Sequence, residues 1–260
     1  MVRGVRESKS QICACYIFSP THVSEAVERV DEIRREADAA GLLEAWSSAC
    51  LGRLLAMRSN DDLERARELV RRGRQALRDA GARLTWAAMA MAESHVEWRA
   101  NRLEAMELVL RAGIDELARL GDRGYSPTVT LYLADCLLAQ RKLDEIEALC
   151  VRARELTGTD DVVNFVFLDG VEGVLLAHSG RPDEGSELAK RAIELAETTD
   201  FFELRAWSRL WCAETLAMVG QTGEAAQLSA QAVAIHEAKG DVTGAARARE
   251  RFAGFGISTG

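Results

Sequence analysis

Proline is nearly missing from this sequence, with three in 260 residues, and aromatic residues make up only 6 % of it. So few breakers beside abundant Ala, Leu, Arg and Glu favour helix throughout, because those residues lose little side-chain freedom in a helix. There is no long run of one charge, and the formal net charge is −8. That balance argues against sequence-independent nucleic-acid binding, which needs a basic surface to displace counterions. No stretch approaches the roughly 18 apolar residues of a membrane span. Arg3, Arg6 and Lys9 precede an apolar run from Ile12 to Phe18, but the run is short and no small-x-small cleavage site follows. The expected location is cytoplasmic, with no membrane association. The six cysteines, at 13, 15, 50, 136, 150 and 212, lack a framework spacing. Cys13-Ala-Cys15 has neither a second pair nor a nearby His, so no metal site is expected and a reducing compartment suits the chain.

Catalytic signatures are also lacking. There is no phosphate-cradling G-x-x-x-x-G-K-[ST], no G-x-S-x-G and no H-E-x-x-H. Gly170-Val-Glu-Gly173 falls inside a helical pattern with no strand before it. His22, His95, His178 and His236 are scattered, and the carboxylates sit in first turns or beside arginines. No isolated acid/base pair stands out, so the expectation is a protein that is not an enzyme and carries no cofactor.

What is present is repetition. Gly180-Arg-Pro-Asp-Glu184-Gly-Ser-Glu-Leu188-Ala-Lys-Arg-Ala192 returns 40 residues later as Gly220-Gln-Thr-Gly-Glu224-Ala-Ala-Gln-Leu228-Ser-Ala-Gln-Ala232. The same step reaches Asp144, Glu104, Glu64 and Ser24, each placed to open a helix by complementing its unpaired N–H groups. Gly41, Gly81, Gly121 and, one position early, Gly240 fall where left-handed residues would close helices. The spacing predicts a helix over 21–40, then pairs 42–57 with 61–80, 83–99 with 102–120, 126–139 with 142–157, 161–179 with 182–198, and 202–219 with 222–239. A capping helix at 242–253 follows. Residues 1–20 read as disordered or as a partial first helix, and 254–260 as a tail.

Small residues recur at matched points: Gly52, Ala92, Ala134, Gly173 and Ala213 in first helices, and Ala105, Gly185 and Ala225 in second helices. Glycine inside a helix costs about 1 kcal/mol against alanine, so Gly52 and Gly173 make sense as places where two backbones meet. This pattern resembles the tetratricopeptide repeat, a helix–turn–helix unit of about 34 residues. Gly173, Gly180, Gly185 and Ala192, then Ala213, Gly220, Ala225 and Ala232, carry the match best. The period here is longer, and the family's early Trp and Tyr positions are not kept. The resemblance, over roughly residues 21–253, implies an all-α, right-handed α-solenoid. It is similar to the C-terminal sensor arrays of bacterial ATPase- and cyclase-type transcriptional regulators. In such arrays the first helices line a concave binding face. By register that face here would hold Trp207, Leu210 and Glu214, with Phe167, Gly170 and Val174 one repeat earlier, and Arg99, Asn164, Arg205 and Arg209 as polar contacts.

The expectation is therefore a non-catalytic scaffold binding a protein, a peptide or a small effector, as the sensor or interaction segment of a regulator. It reads as either a separate chain or the C-terminal fragment of a longer one, the incomplete first repeat motivating the fragment reading. An open-ended stack would offer apolar surface for self-association. One alternative is a DNA-linked regulator subunit working with a separate helix-turn-helix or ATPase domain, without direct nucleic-acid contact. The other is a helical-scaffold enzyme. Two ambiguities remain. A Trp on an apolar helix face packs in a core more often than it anchors a partner. Arg67, Arg71, Arg74 and Arg78, on one helical stripe, read either as an anionic-partner footprint or as a solvated face offset by Glu64, Glu68 and Asp79.

Overall fold

A computed structural model describes residues 3–38 and 41–253, with side chains from residue 8 onward. Every regular element among them is helical. In chain order these are α1 (Arg3–Phe18), α2 (Val23–Glu36), α3 (Leu42–Arg58), a 3-10 turn (Asn60–Asp62), α4 (Leu63–Asp79), α5 (Arg83–Ala88), α6 (Ala90–Arg99), α7 (Leu103–Arg119) and α8 (Ser126–Ala139). There follow α9 (Ile146–Leu156), α10 (Val162–His178), α11 (Pro182–Ala196), α12 (Phe202–Met218), α13 (Thr222–Lys239) and α14 (Val242–Ala253). Among the described residues no helix is long and apolar enough to cross a membrane. The tail at 254–260 lies outside the described residues.

Among the described residues seven backbone positions turn left-handed: Gly81, Asn101, Gly121, Arg141, Gly180, Gly220 and Gly240, with φ between 56° and 80°. The first six close their helices with one hydrogen-bond pattern, seen at Gly180 as Gly180 N–H to Ala177 O and Arg181 N–H to Leu176 O. This is the Schellman closure, which satisfies the last carbonyls of a helix and turns the chain back. Gly41 departs from expectation. Its φ is −81°, and it precedes α3 as the N-cap instead of closing a helix.

Four other expectations need correction. The helix expected at 83–99 is broken at Met89 into α5 and α6. Asp144 lies in a turn, because α9 starts only at Ile146. Residues 3–18 are helical, within the partial-helix alternative for 1–20, while the helix expected at 21–40 ends at Glu36. Its N-terminus is capped by His22, whose Nδ1 accepts the Ser24 N–H, and not by Ser24 itself.

The chain divides into two compact units: residues 1–122 with 239–243, and residues 123–238 with 244–260. In the first unit α3 packs against α4, α2 and α6, and α6 against α7. A methyl group on Gly52 would stand 2.6 Å from the Ala66 carbonyl oxygen, and one on Gly73 would stand 2.4 Å from that of Ala45. The arginine stripe of α4 forms a ladder with α6. Arg67 donates to both oxygens of fully buried Glu97 (2.8 and 3.1 Å), Arg71 reaches Glu93 and Glu97, and Arg74 binds Glu93. Arg67 and Arg74 are buried while Arg71 and Arg78 are exposed, so half of the stripe is neither a solvated face nor a free footprint. Only Arg78 has no carboxylate; its guanidinium lies over the Trp86 ring.

In the second unit α10 packs on α11, α12, α8 and α9. α10 and α11 touch backbone to backbone. A methyl on Gly173 would meet the Gly185 carbonyl oxygen at 2.7 Å, and one on Gly185 would meet that of Gly173 at 2.4 Å.

Candidate functional site

The second unit gathers aromatic residues from three helices. Tyr132 of α8, Phe167 of α10 and Trp207 and Trp211 of α12 form five ring pairs with centroids 5.0–6.5 Å apart. All are tilted or edge-on, as ring quadrupoles favour. Trp211 fits because Gly170 has no side chain: a methyl there would stand 2.1 Å from the indole Cε3. Its Nε1–H donates to the half-buried Asp135 Oδ1 at 2.7 Å.

One turn beyond Trp211 on α12, Glu214 is the hub of a charged cluster. Its Oε1 accepts from Arg141 Nη1 at 2.9 Å, and its Oε2 from Arg251 of α14 at 2.7 and 3.0 Å. His178 Nε2, at the end of α10, stands 3.6 Å from Oε1 and also faces Arg141 Nη1. Burial alone would raise the Glu214 pKa, but Arg251, His178 and Arg141 together pull it down to about 2. Asp135 goes the other way. Burial pushes its carboxyl above the usual range and the Glu214 charge adds to this, against the pull of Arg251 and the Trp211 N–H. Burial would lower the Arg251 pKa, yet the charges of Glu214 and Asp135 raise it.

Arg141 reaches this cluster from a left-handed backbone (φ 58°), a conformation that costs a residue with a Cβ about 1–2 kcal/mol. It stays there because the Schellman closure after α8 fixes the turn. A strained non-glycine residue aimed at a charged cluster is a reason to suspect function. The side chains that ring Glu214 are cationic or ambivalent. The Arg141 side chain is about half exposed, at 51 %, and Arg251 and His178 are 22 % and 20 % exposed, while Glu214 is at 5 %. Both Glu214 oxygens are engaged by guanidinium, so the arrangement presents donors at a rim around a neutralised acid. Such donors suit an anionic group.

The groove residues expected from register are placed as follows. Phe167, Leu210 and Trp207 are 1 %, 1 % and 8 % exposed and belong to the core of the second unit. Gly170 faces Trp211 and Val174 is fully buried. Glu214 is the cluster's hub. Arg209 binds Glu197 at 2.8 Å, the Arg205 carbonyl and Gln231, and Arg205 binds Glu197 as well. Asn164 is buried, tied to the α10 cap Asp161 and to Thr128. Arg99 belongs to the first unit. It is buried on α6 and pairs with Asp241 at 2.8 Å. The structure thus brings Phe167, Trp207, Leu210, Glu214 and Arg209 into one unit, on α10 and α12, and leaves Arg99 in the other.

Sequence reasoning missed Arg141, Asp135 and Arg251 as cluster members. For Arg141 one signal existed. It lies 20 residues after Gly121, on the half-period of the 40-residue step from Gly81 to Gly121.

Elsewhere, the six cysteines are free. Burial pushes the thiols of Cys13 and Cys212 up to about 11 and that of Cys150 to about 12, so these three are poor nucleophiles. Among the described residues no group of three or more His, Cys, Asp or Glu side chains could hold a metal ion. No protein-family model matches the chain, and no curated protein does either.

Proposed function

We propose that the chain is a right-handed solenoid of tetratricopeptide-like hairpins with a 40-residue period, working as a non-catalytic scaffold that binds a protein or peptide. In this reading it is the sensor or interaction segment of a bacterial signalling or transcriptional regulator. The observation that carries the reading is the packing order of the second unit. There α8, α10 and α12 contact one another in sequence, with α9 and α11 as the paired second helices. The left-handed closures at 81, 101, 121 and 141, then 180, 220 and 240, support a repeat of two helices per 40 residues. We place the binding contact at the rim of Arg141, His178 and Arg251 around Glu214, beside the packed aromatic core, with an acidic side chain or terminus of the partner as its counterpart.

The variant Arg141→Gly tests this placement, because glycine relieves the left-handed backbone while removing the guanidinium. Its partner should be captured from the source organism's lysate by the wild-type chain, identified, purified and titrated against both forms. A Kd weakened by roughly tenfold or more, with the helical melt unchanged, supports the site. Equal affinity moves the partner to another face, and no partner under any condition removes the protein-binding reading.

A further inference from the structure

The first unit holds a second cationic site, which shares no residue with the cluster just described. A cavity of about 430 Å³ opens among Arg78 at the end of α4, Gly81 in the turn, Arg83 and Trp86 of α5, and Glu116 and Arg119 of α7. That volume lies within the roughly 300–1,000 Å³ range of small-molecule sites. The charges are uneven. Glu116 is the one acid, and each of its oxygens is taken by a single arginine, Oε1 by Arg83 and Oε2 by Arg119 at 3.2 Å. Each of these guanidiniums commits one of its N–H donors to Glu116, and Arg78 commits none, resting over the Trp86 ring with its centre 5.5 Å from the centroid. Three arginines against one glutamate leave a surplus of two positive charges around an open space, in a chain whose net charge is −8. The guanidinium fork matches phosphate oxygens, and a phosphate monoester carries about −1.5 to −2 charges at neutral pH, which balances the surplus. Trp86 supplies an aromatic wall, and the volume leaves room for an organic group behind the phosphate.

We propose that this cavity binds the phosphate group of a small molecule, with Arg78, Arg83 and Arg119 holding the oxygens and Trp86 lying against the ester's organic part. Glu116 holds Arg83 and Arg119 in position while no anion is bound and competes with the ligand for them.

The test is calorimetric titration of the full chain with phenyl phosphate, inorganic phosphate and phenol. Phenyl phosphate should bind, phenol should not, and affinity should fall as salt is raised. Arg78→Gln should weaken binding by roughly tenfold, the loss of one charge-assisted contact. Glu116→Gln should tighten it severalfold, a gain that damage to the fold would not produce. Phenyl phosphate binding more tightly than inorganic phosphate assigns an ester as the ligand, and equal affinities assign free phosphate; both sustain the anion site. The proposal is overturned by phenol matching phenyl phosphate, by Arg78→Gln binding as the wild type does, or by neither phosphate binding at millimolar concentration. These outcomes are independent of the Arg141 result, since the two sites share no residue.

Discussion

Glu214 stays ionised in a buried position because three basic side chains from distant parts of the chain converge on it. Arg141 is 73 residues before it and Arg251 is 37 after. Its pKa of about 2, against an ordinary 4.5, corresponds to roughly 3 kcal/mol of folding stability. A depressed folded pKa stabilises above the unfolded value, so this contribution is fully present at neutral pH. It is lost as pH falls from about 4.5 towards 2. Asp135 has the opposite sign: its raised pKa makes the ionised form a cost at neutral pH, relieved by protonation. Urea unfolding should therefore show Glu214→Gln destabilised by about 2–3 kcal/mol at pH 7, with the gap to wild type closing near pH 2. Asp135→Asn, which keeps an acceptor for the Trp211 N–H, should be more stable than wild type at pH 7, with the gain fading as the pH is lowered. A gap for Glu214→Gln that does not change with pH would show that the cluster does not hold Glu214 ionised. Helical register alone pointed to Glu214 but could not reveal this, since partners at such separations leave no i,i+4 trace in the sequence.

The helices are ended by geometry more than by propensity. Gly180 and Gly220 sit at φ 80° and 79° with open space around the missing Cβ, so alanine there is opposed by backbone strain alone. Gly180→Ala and Gly220→Ala should each cost about 1–2 kcal/mol in a denaturant melt. Asn101→Gly, at φ 56°, should be neutral or slightly stabilising. Gly173→Ala differs in kind, because its Cβ would press into the Gly185 carbonyl; the cost should exceed that of the turn variants through separation of α10 from α11. Such punctuation is why the all-helical class and most helix spans were legible from glycines and acidic first turns. The break at Met89 was not. No proline or glycine marks it, and its dihedrals, φ −67° and ψ −4°, are open to any residue. Asn101 and Arg141 were missed for a related reason: a left-handed turn held by its hydrogen bonds can accept a residue that composition does not flag.

At the scale of the whole chain, proximity in sequence fails most clearly for residues 239–243, which belong to the first unit although helices of the second precede them. Lys239 Nζ donates to the carbonyls of Tyr16 and Ser19 at 2.8 Å each, at the C-terminal end of α1, where a cation complements the helix dipole. Thr243 Oγ1 donates to the Ala56 carbonyl at 2.6 Å. Between them Asp241 meets Arg99, both side chains fully enclosed and 142 residues apart in sequence. The sequence marked Arg99 only as a polar residue on a first helix, and nothing local distinguishes a groove arginine from one buried against a segment so far away. The consequence is testable as a cycle. Removing one member takes the opposite charge away from the other inside the unit, so Arg99→Ala and Asp241→Ala should each destabilise, by up to about 3–5 kcal/mol. The double variant should cost much less than their sum, because no unpaired charge is left behind. Thermal melts of the four proteins would read this coupling. Strict additivity would mean that the Arg99–Asp241 pair contributes no coupled stability.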